Sequence, residues 1–120
     1  MPAEPAPAVL VVEDEPLVAM DMEGMLFSLG CATVSVAYTL EEGLKLADEQ
    51  ALDFAILDFN LSRQTDSIPI GQRLIERGVP FVIVTGNARQ AAAAFPAASV
   101  ISKPLSEKML GELLDQATAA

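Results

Sequence analysis

Five side chains in this 120-residue chain stand where strand-like runs meet solvent. Glu13 and Asp14 follow Val9-Leu10-Val11-Val12, and Asp58 follows Phe54-Ala55-Ile56-Leu57. Thr85 closes Phe81-Val82-Ile83-Val84, and Lys103 follows Ser99-Val100-Ile101-Ser102. Taken singly, such an acid is an ordinary loop residue or helix cap, the threonine a turn residue and the lysine a charged strand end. Brought to one rim, they would make a site of three carboxylates, a hydroxyl and an ammonium. What such acidity attracts is a divalent cation.

Whether they meet depends on the elements that carry them. After the first apolar run, Pro16 suits the first turn of a helix, and Val18, Met22, Met25 and Leu29 recur at helical spacing until Gly30. Thr33-Val34-Ser35-Val36 reads as a second strand. Thr39 and Glu42 form a capping box for a helix with Leu40, Leu44 and Ala47 on its inner face. The third strand ends at Asp58, and residues 60–69 read as polar and irregular. A helix then carries Ile70, Leu74 and Ile75. Pro80 to Val84 forms the fourth strand, an Ala-rich stretch at 88–94 a weak helix ended by Pro96, and residues 99–102 the fifth strand. A last helix places Leu110, Leu113, Leu114 and Ala117 on one face.

Five strands alternating with five helices predict an α/β fold. The strands are nearly all apolar, as in a parallel sheet covered on both faces. Right-handed crossovers then lead to a doubly wound, flavodoxin-like sheet of order 2-1-3-4-5, whose active crevice lies at the carboxyl ends of the strands. That is where all five side chains fall. A closed eight-unit barrel needs roughly 200 residues or more and is excluded by length.

Composition narrows the function. Without any histidine, imidazole triads and imidazole metal sites are excluded, and the single cysteine, Cys31, forms no internal disulfide. Seventeen acids against seven bases give a net charge of −10, which repels a nucleic-acid backbone. No segment approaches the roughly 18 apolar residues of a membrane span, and the Pro-rich start at residues 1–7 reads as a short extended tail, not a signal peptide. These features predict one domain over residues 8–120, in the cytoplasm.

The motifs Val-Val-Glu13-Asp14-Glu, Ile-Leu-Asp58-Phe-Asn60-Leu, Val-Thr85-Gly86 and Ser-Lys103-Pro104, with 44 positions from Asp14 to Asp58, resemble the receiver domain of two-component response regulators. The resemblance spans residues 8–118. Its Phe81 to Gly86 segment is similar to a variant, common among alphaproteobacterial single-domain regulators, that reads Phe-Ala-Thr-Gly-Tyr. By resemblance, Asp58 is the phosphoacceptor. Glu13, Asp14, Asp58 and the Asn60 main-chain carbonyl hold Mg²⁺, Thr85 contacts the phosphoryl group and Lys103 is its ionic partner. The implied partners are a sensor histidine kinase or phosphotransfer protein and a downstream protein target. The resemblance also implies a cis Lys103–Pro104 bond.

The chain departs from the family at three places. Val100 and Asn87 occupy the two positions where receivers carry the aromatic that reports phosphorylation. Leu61-Ser62-Arg63-Gln64-Thr65-Asp66 replaces a Pro-Gly turn and reads as a flexible loop, or, if functional, as one presenting Arg63 to acids near the site or on a kinase. With no output domain after residue 120, the expected function is phosphoryl relay, phosphate sink or phosphorylation-dependent protein binding. A pseudo-receiver would be a constitutive interaction module, but the acid–acid–hydroxyl–lysine set is complete. A flavodoxin-like cofactor carrier is disfavoured because acids stand where a phosphate loop would be. Two physical expectations follow. The three carboxylates should repel one another and raise at least one pKa. The Ala-rich fourth helix, anchored mainly by Phe95, should be the least stable cover of the sheet.

Overall fold

Short runs of Val, Ile, Leu and Ala, buried on both sides, become strands because an extended chain fills the space between two helical layers. A computed structural model describes residues 7–62, 65–95 and 99–118. In chain order the elements are β1 (Ala8–Val12), α1 (Pro16–Ser28), β2 (Thr33–Ala37), α2 (Leu40–Glu49), β3 (Phe54–Asp58), β4 (Asn60–Ser62) and β5 (Thr65–Asp66). There follow α3 (Ile68–Glu76), β6 (Phe81–Thr85), α4 (Ala88–Ala94), β7 (Ser99–Ser102) and α5 (Glu107–Thr118). The main sheet is parallel throughout and runs β2-β1-β3-β6-β7. With the hairpin strands β4 and β5 set aside, this is the predicted doubly wound order.

Period-two alternation sorts the core into faces. Val9 and Val11 of β1, Phe54 and Ile56 of β3, and Val82 and Val84 of β6 pack with Met22 and Leu26 of α1 and Leu110 and Leu114 of α5. The single cysteine, Cys31, sits in this layer at 5% exposure, and burial raises its thiol pKa. On the opposite face Leu10, Val12, Ala55 and Leu57 meet Ala47 of α2 and Ile70 and Leu74 of α3. A third cluster joins Phe59 and Ile83 to Ala91 and Phe95 beneath α4.

The helix ends follow their sequence signals. Pro16 opens α1, and Gly30, at φ +97°, turns the chain beyond its end, a conformation open to glycine. The Thr39 hydroxyl accepts the Glu42 N–H at 3.1 Å, and the Glu42 carboxylate accepts the Tyr38 N–H at 3.0 Å. Asn87, read from sequence as a missing aromatic, caps α4 by accepting the Gln90 N–H at 3.3 Å.

One expectation is corrected. Residues 60–62 and 65–66 are not irregular: β4 and β5 pair antiparallel with a bulge. The cause is Leu61, 1% exposed between the exposed Asn60 and Ser62, whose side chain belongs to the α2/α3 cluster. A single inward apolar residue is too short a pattern to announce a strand. Arg63 and Gln64 lie outside the described residues, as do residues 1–6 of the tail and Pro96.

Candidate functional site

The strand order reverses between β1 and β3, so a crevice opens beyond their carboxyl ends. Register alone brings its acids together. Val12 pairs with Leu57, so Glu13 and Asp58 are the next residues on adjacent strands. One carboxylate oxygen from each of Glu13, Asp14 and Asp58 lies within 4.8 Å of the other two. Glu13 is fully buried and Asp58 5% exposed, while Asp14 is half-buried.

Thr85 reaches the same rim because Asp58 pairs with Val84, one residue before it. It is 1% exposed, and its hydroxyl accepts the Asn87 N–H at 3.0 Å. Its carbonyl accepts the Lys103 N–H at 3.0 Å, continuing the β6–β7 ladder to the lysine. The Lys103–Pro104 peptide is cis. The Lys103 ammonium lies 3.3 Å from Asp58 Oδ2 and 3.6 Å from Glu13 Oε1. Asn60, the remaining residue singled out from sequence, is exposed at the root of the hairpin, opposite Asp66.

The electrostatics follow from this packing. Burial raises the Glu13 carboxyl to about 7; a hydrogen bond from the Glu15 N–H at 3.1 Å opposes the rise and the nearby Asp58 adds to it. Burial also raises Asp58, against the pull of Lys103. Lys103 loses some preference for its charged form to burial, but Asp58 and Glu13 outweigh this and raise it, so it stays protonated. The expected pKa rise is therefore present, with a different leading cause. Desolvation comes first for both acids, and repulsion between carboxylates is secondary.

One atom bears on the cation. Glu13 Oε1 is buried and accepts no hydrogen bond, although Lys103 stands 3.6 Å away. A buried carboxylate oxygen without a donor costs free energy unless a charge satisfies it. The donor set is all oxygen, supplied by carboxylates, which suits Mg²⁺ or Ca²⁺ and not a soft metal. These residues fit a hard divalent cation.

Sequence reasoning named Phe95 as the anchor of α4 but missed its seat on α3. Phe95 lies over Gly71 of α3, where a Cβ would come within 2.5 Å of its ring, and it meets Phe81 edge-on at 5.6 Å. The glycine was the available signal, since only a residue without a side chain leaves room for the ring there.

Comparison with known proteins agrees with the geometry. The curated Phyllosphere-induced regulator PhyR of Methylorubrum extorquens is 34% identical over 85 residues, which are 69% of this chain and 32% of that protein. The chain thus spans about a third of the length of that relative. Among solved structures, SdrG from Sphingomonas melonis Fr1 is 31% identical with a TM-score of 0.81, covering 96% of this chain and 98% of that one. The response regulator PhyR from Brucella abortus is 28% identical with a TM-score of 0.79, covering 93% of this chain and 47% of that one. The family model for the response regulator receiver domain matches residues 9–115. A parallel sheet of this order, carrying an acidic trio at its switch point and a match over nearly its whole length, makes this chain a member of the response regulator receiver family, the family of two-component signalling.

Proposed function

We propose that this receiver accepts a phosphoryl group on Asp58 from the phosphohistidine of a sensor histidine kinase or phosphotransfer protein, and acts on a downstream protein target by relay, by draining phosphate or by phosphorylation-dependent binding. The observation that carries the reading is the Lys103 ammonium 3.3 Å from Asp58 Oδ2, on a carboxylate that is otherwise buried among acids. In the transfer, an Asp58 carboxylate oxygen forms a bond to phosphorus as the P–N bond to the donor imidazole breaks and the electron pair leaves with the imidazole. Catalysis of such a transfer is mostly positioning and charge neutralisation.

Glu13, Asp14, Asp58 and the Asn60 carbonyl would hold Mg²⁺, which supplies charge neutralisation to the phosphoryl oxygens when bound. The chain's own residues do the rest. The register of β1 and β3 puts Asp58 beside the other acids, and burial keeps competing water away from it. Lys103 offsets negative charge from the end of β7, one strand beyond β6, and the Thr85 hydroxyl is the donor for a phosphoryl oxygen. No imidazole is needed on the receiver, because the donor brings it.

Intact-mass measurement after incubation with a small phosphodonor and Mg²⁺ tests this. The wild type should gain one phosphoryl mass and Asp58→Ala none. A wild type that gains nothing would leave a constitutive interaction module as the better reading.

A further inference from the structure

A main-chain carbonyl cannot adjust by changing rotamer, so a cation that demands near-octahedral geometry needs its backbone placed in advance. The three residues after Asp58 are anchored alternately. Phe59 is 1% exposed and packs into the α4 cluster with Ile83 and Phe95. Asn60 is exposed. Leu61 is 1% exposed and packs into the separate cluster of Ile70 and Leu74. The exposed residue is thus pinned on both sides by apolar anchors that lie in different clusters.

Hydrogen bonds tie the same stretch. The Phe59 N–H donates to the Val84 carbonyl at 3.2 Å, and the Phe59 carbonyl accepts the Ser67 N–H at 2.9 Å. Asn60 sits opposite Asp66 in the hairpin. Asp66 Oδ1 accepts the Ile68 N–H at 3.0 Å, fastening β5 to the first turn of α3. That helix supplies the Ile70 and Leu74 side chains of the Leu61 cluster. The route from Asp58 to α3 is therefore tied at both ends, which removes much of the backbone freedom a loop would have to lose on binding.

We infer that the β4–β5 hairpin positions the Asn60 carbonyl for the cation, with Leu61 and Asp66 as positioning residues that do not themselves touch it. The inference rests on the proposed Mg²⁺ reading of the acidic trio. Calorimetric titration of Mg²⁺ into the folded protein tests it, alongside thermal unfolding in EDTA. Leu61→Ala and Asp66→Ala should each weaken Mg²⁺ binding about tenfold, the lower end for loss of support behind a metal ligand. Asp66→Asn should keep near-wild-type affinity, because an amide oxygen also accepts the Ile68 N–H. Leu26→Ala, equally buried but in the opposite layer, should lower the melting temperature and leave affinity unchanged.

Unchanged affinity in both Leu61→Ala and Asp66→Ala overturns the inference, as does an equal loss in Leu26→Ala. Should Leu61→Ala fail to fold, the comparison of Asp66→Ala with Asp66→Asn decides. Wild-type binding that is lost in Asp14→Ala but intact in the hairpin variants sinks this inference alone. A wild type that takes up no Mg²⁺ sinks the underlying reading as well.

Discussion

A carboxyl group sealed from water keeps its proton to higher pH, and Glu13 is the residue where this has the largest consequence. Its pKa of about 7 in the fold stands above the 4.5 of an unburied glutamate. Between those values the folded state binds more protons than the unfolded state, so stability falls as pH rises through the window. Stability at Glu13 is greatest below about 4.5 and is lost as pH climbs through about 7. In EDTA, the urea midpoint should therefore drop between pH 5 and pH 8, and Glu13→Gln should flatten the drop. Identical slopes in the two proteins would show that Glu13 is not the group responsible. Lys103 provides the opposing charge, with Asp58 at 3.3 Å. Lys103→Gln leaves two buried acids without a cation, so its midpoint should fall more steeply above pH 7 than the wild type's. These residues could be singled out from the sequence because each stands at the end of a strand. The sequence did not reveal that Glu13 is fully buried while Asp14 is only half-buried, since two neighbouring acids after one strand read alike.

Among the elements, α4 is the shortest of the described helices and should be the most weakly held cover of the sheet. It has seven residues, and Ala91 is its one buried residue before Phe95 at its C-cap. So short a helix has little stability of its own, and alanines add little buried area. Amide exchange over residues 88–95 should be faster than in α1 or α5, and rates equal to theirs would refute this ordering. The contact of Phe95 with Gly71 makes a sharper test. Gly71→Ala puts a methyl about 2.5 Å from a ring atom buried between two elements. Overpacking of this kind costs about 1–3 kcal/mol, against a gain of at most about 1 kcal/mol from helix propensity. The net loss should appear in urea unfolding together with faster exchange in α4. Gly24→Ala, with nothing within 4 Å of the new methyl, should instead stabilise α1 by about 0.5–1 kcal/mol. The five parallel strands and their helices were legible because apolar runs and caps repeat along the chain. The hairpin was not, because among its described residues Leu61 alone enters the core, and the Phe95 contact was not, because Gly71 and Phe95 are far apart in sequence.

Across the whole molecule, a net charge of −10 and an acidic trio at the switch point favour a form that has gained positive charge. A cation that binds only the folded arrangement stabilises it by mass action, about 2.7 kcal/mol at a hundredfold excess over its dissociation constant. Millimolar Mg²⁺ should raise the melting temperature, more at pH 8 than at pH 5 because Glu13 then has no proton to displace. Asp14→Ala should lose most of the rise, and equal melting temperatures with and without Mg²⁺ would count against the site. The buried Cys31 adds a consequence of a different kind. As the only thiol in the chain, packed between α1 and the sheet at 5% exposure, it meets a labelling reagent only when that layer opens. Its modification rate is thus an intrinsic clock for excursions from the native state, readable by mass without an engineered probe. Cations or phosphoryl mimics that tighten the crevice on the far edge of the same layer should slow that clock.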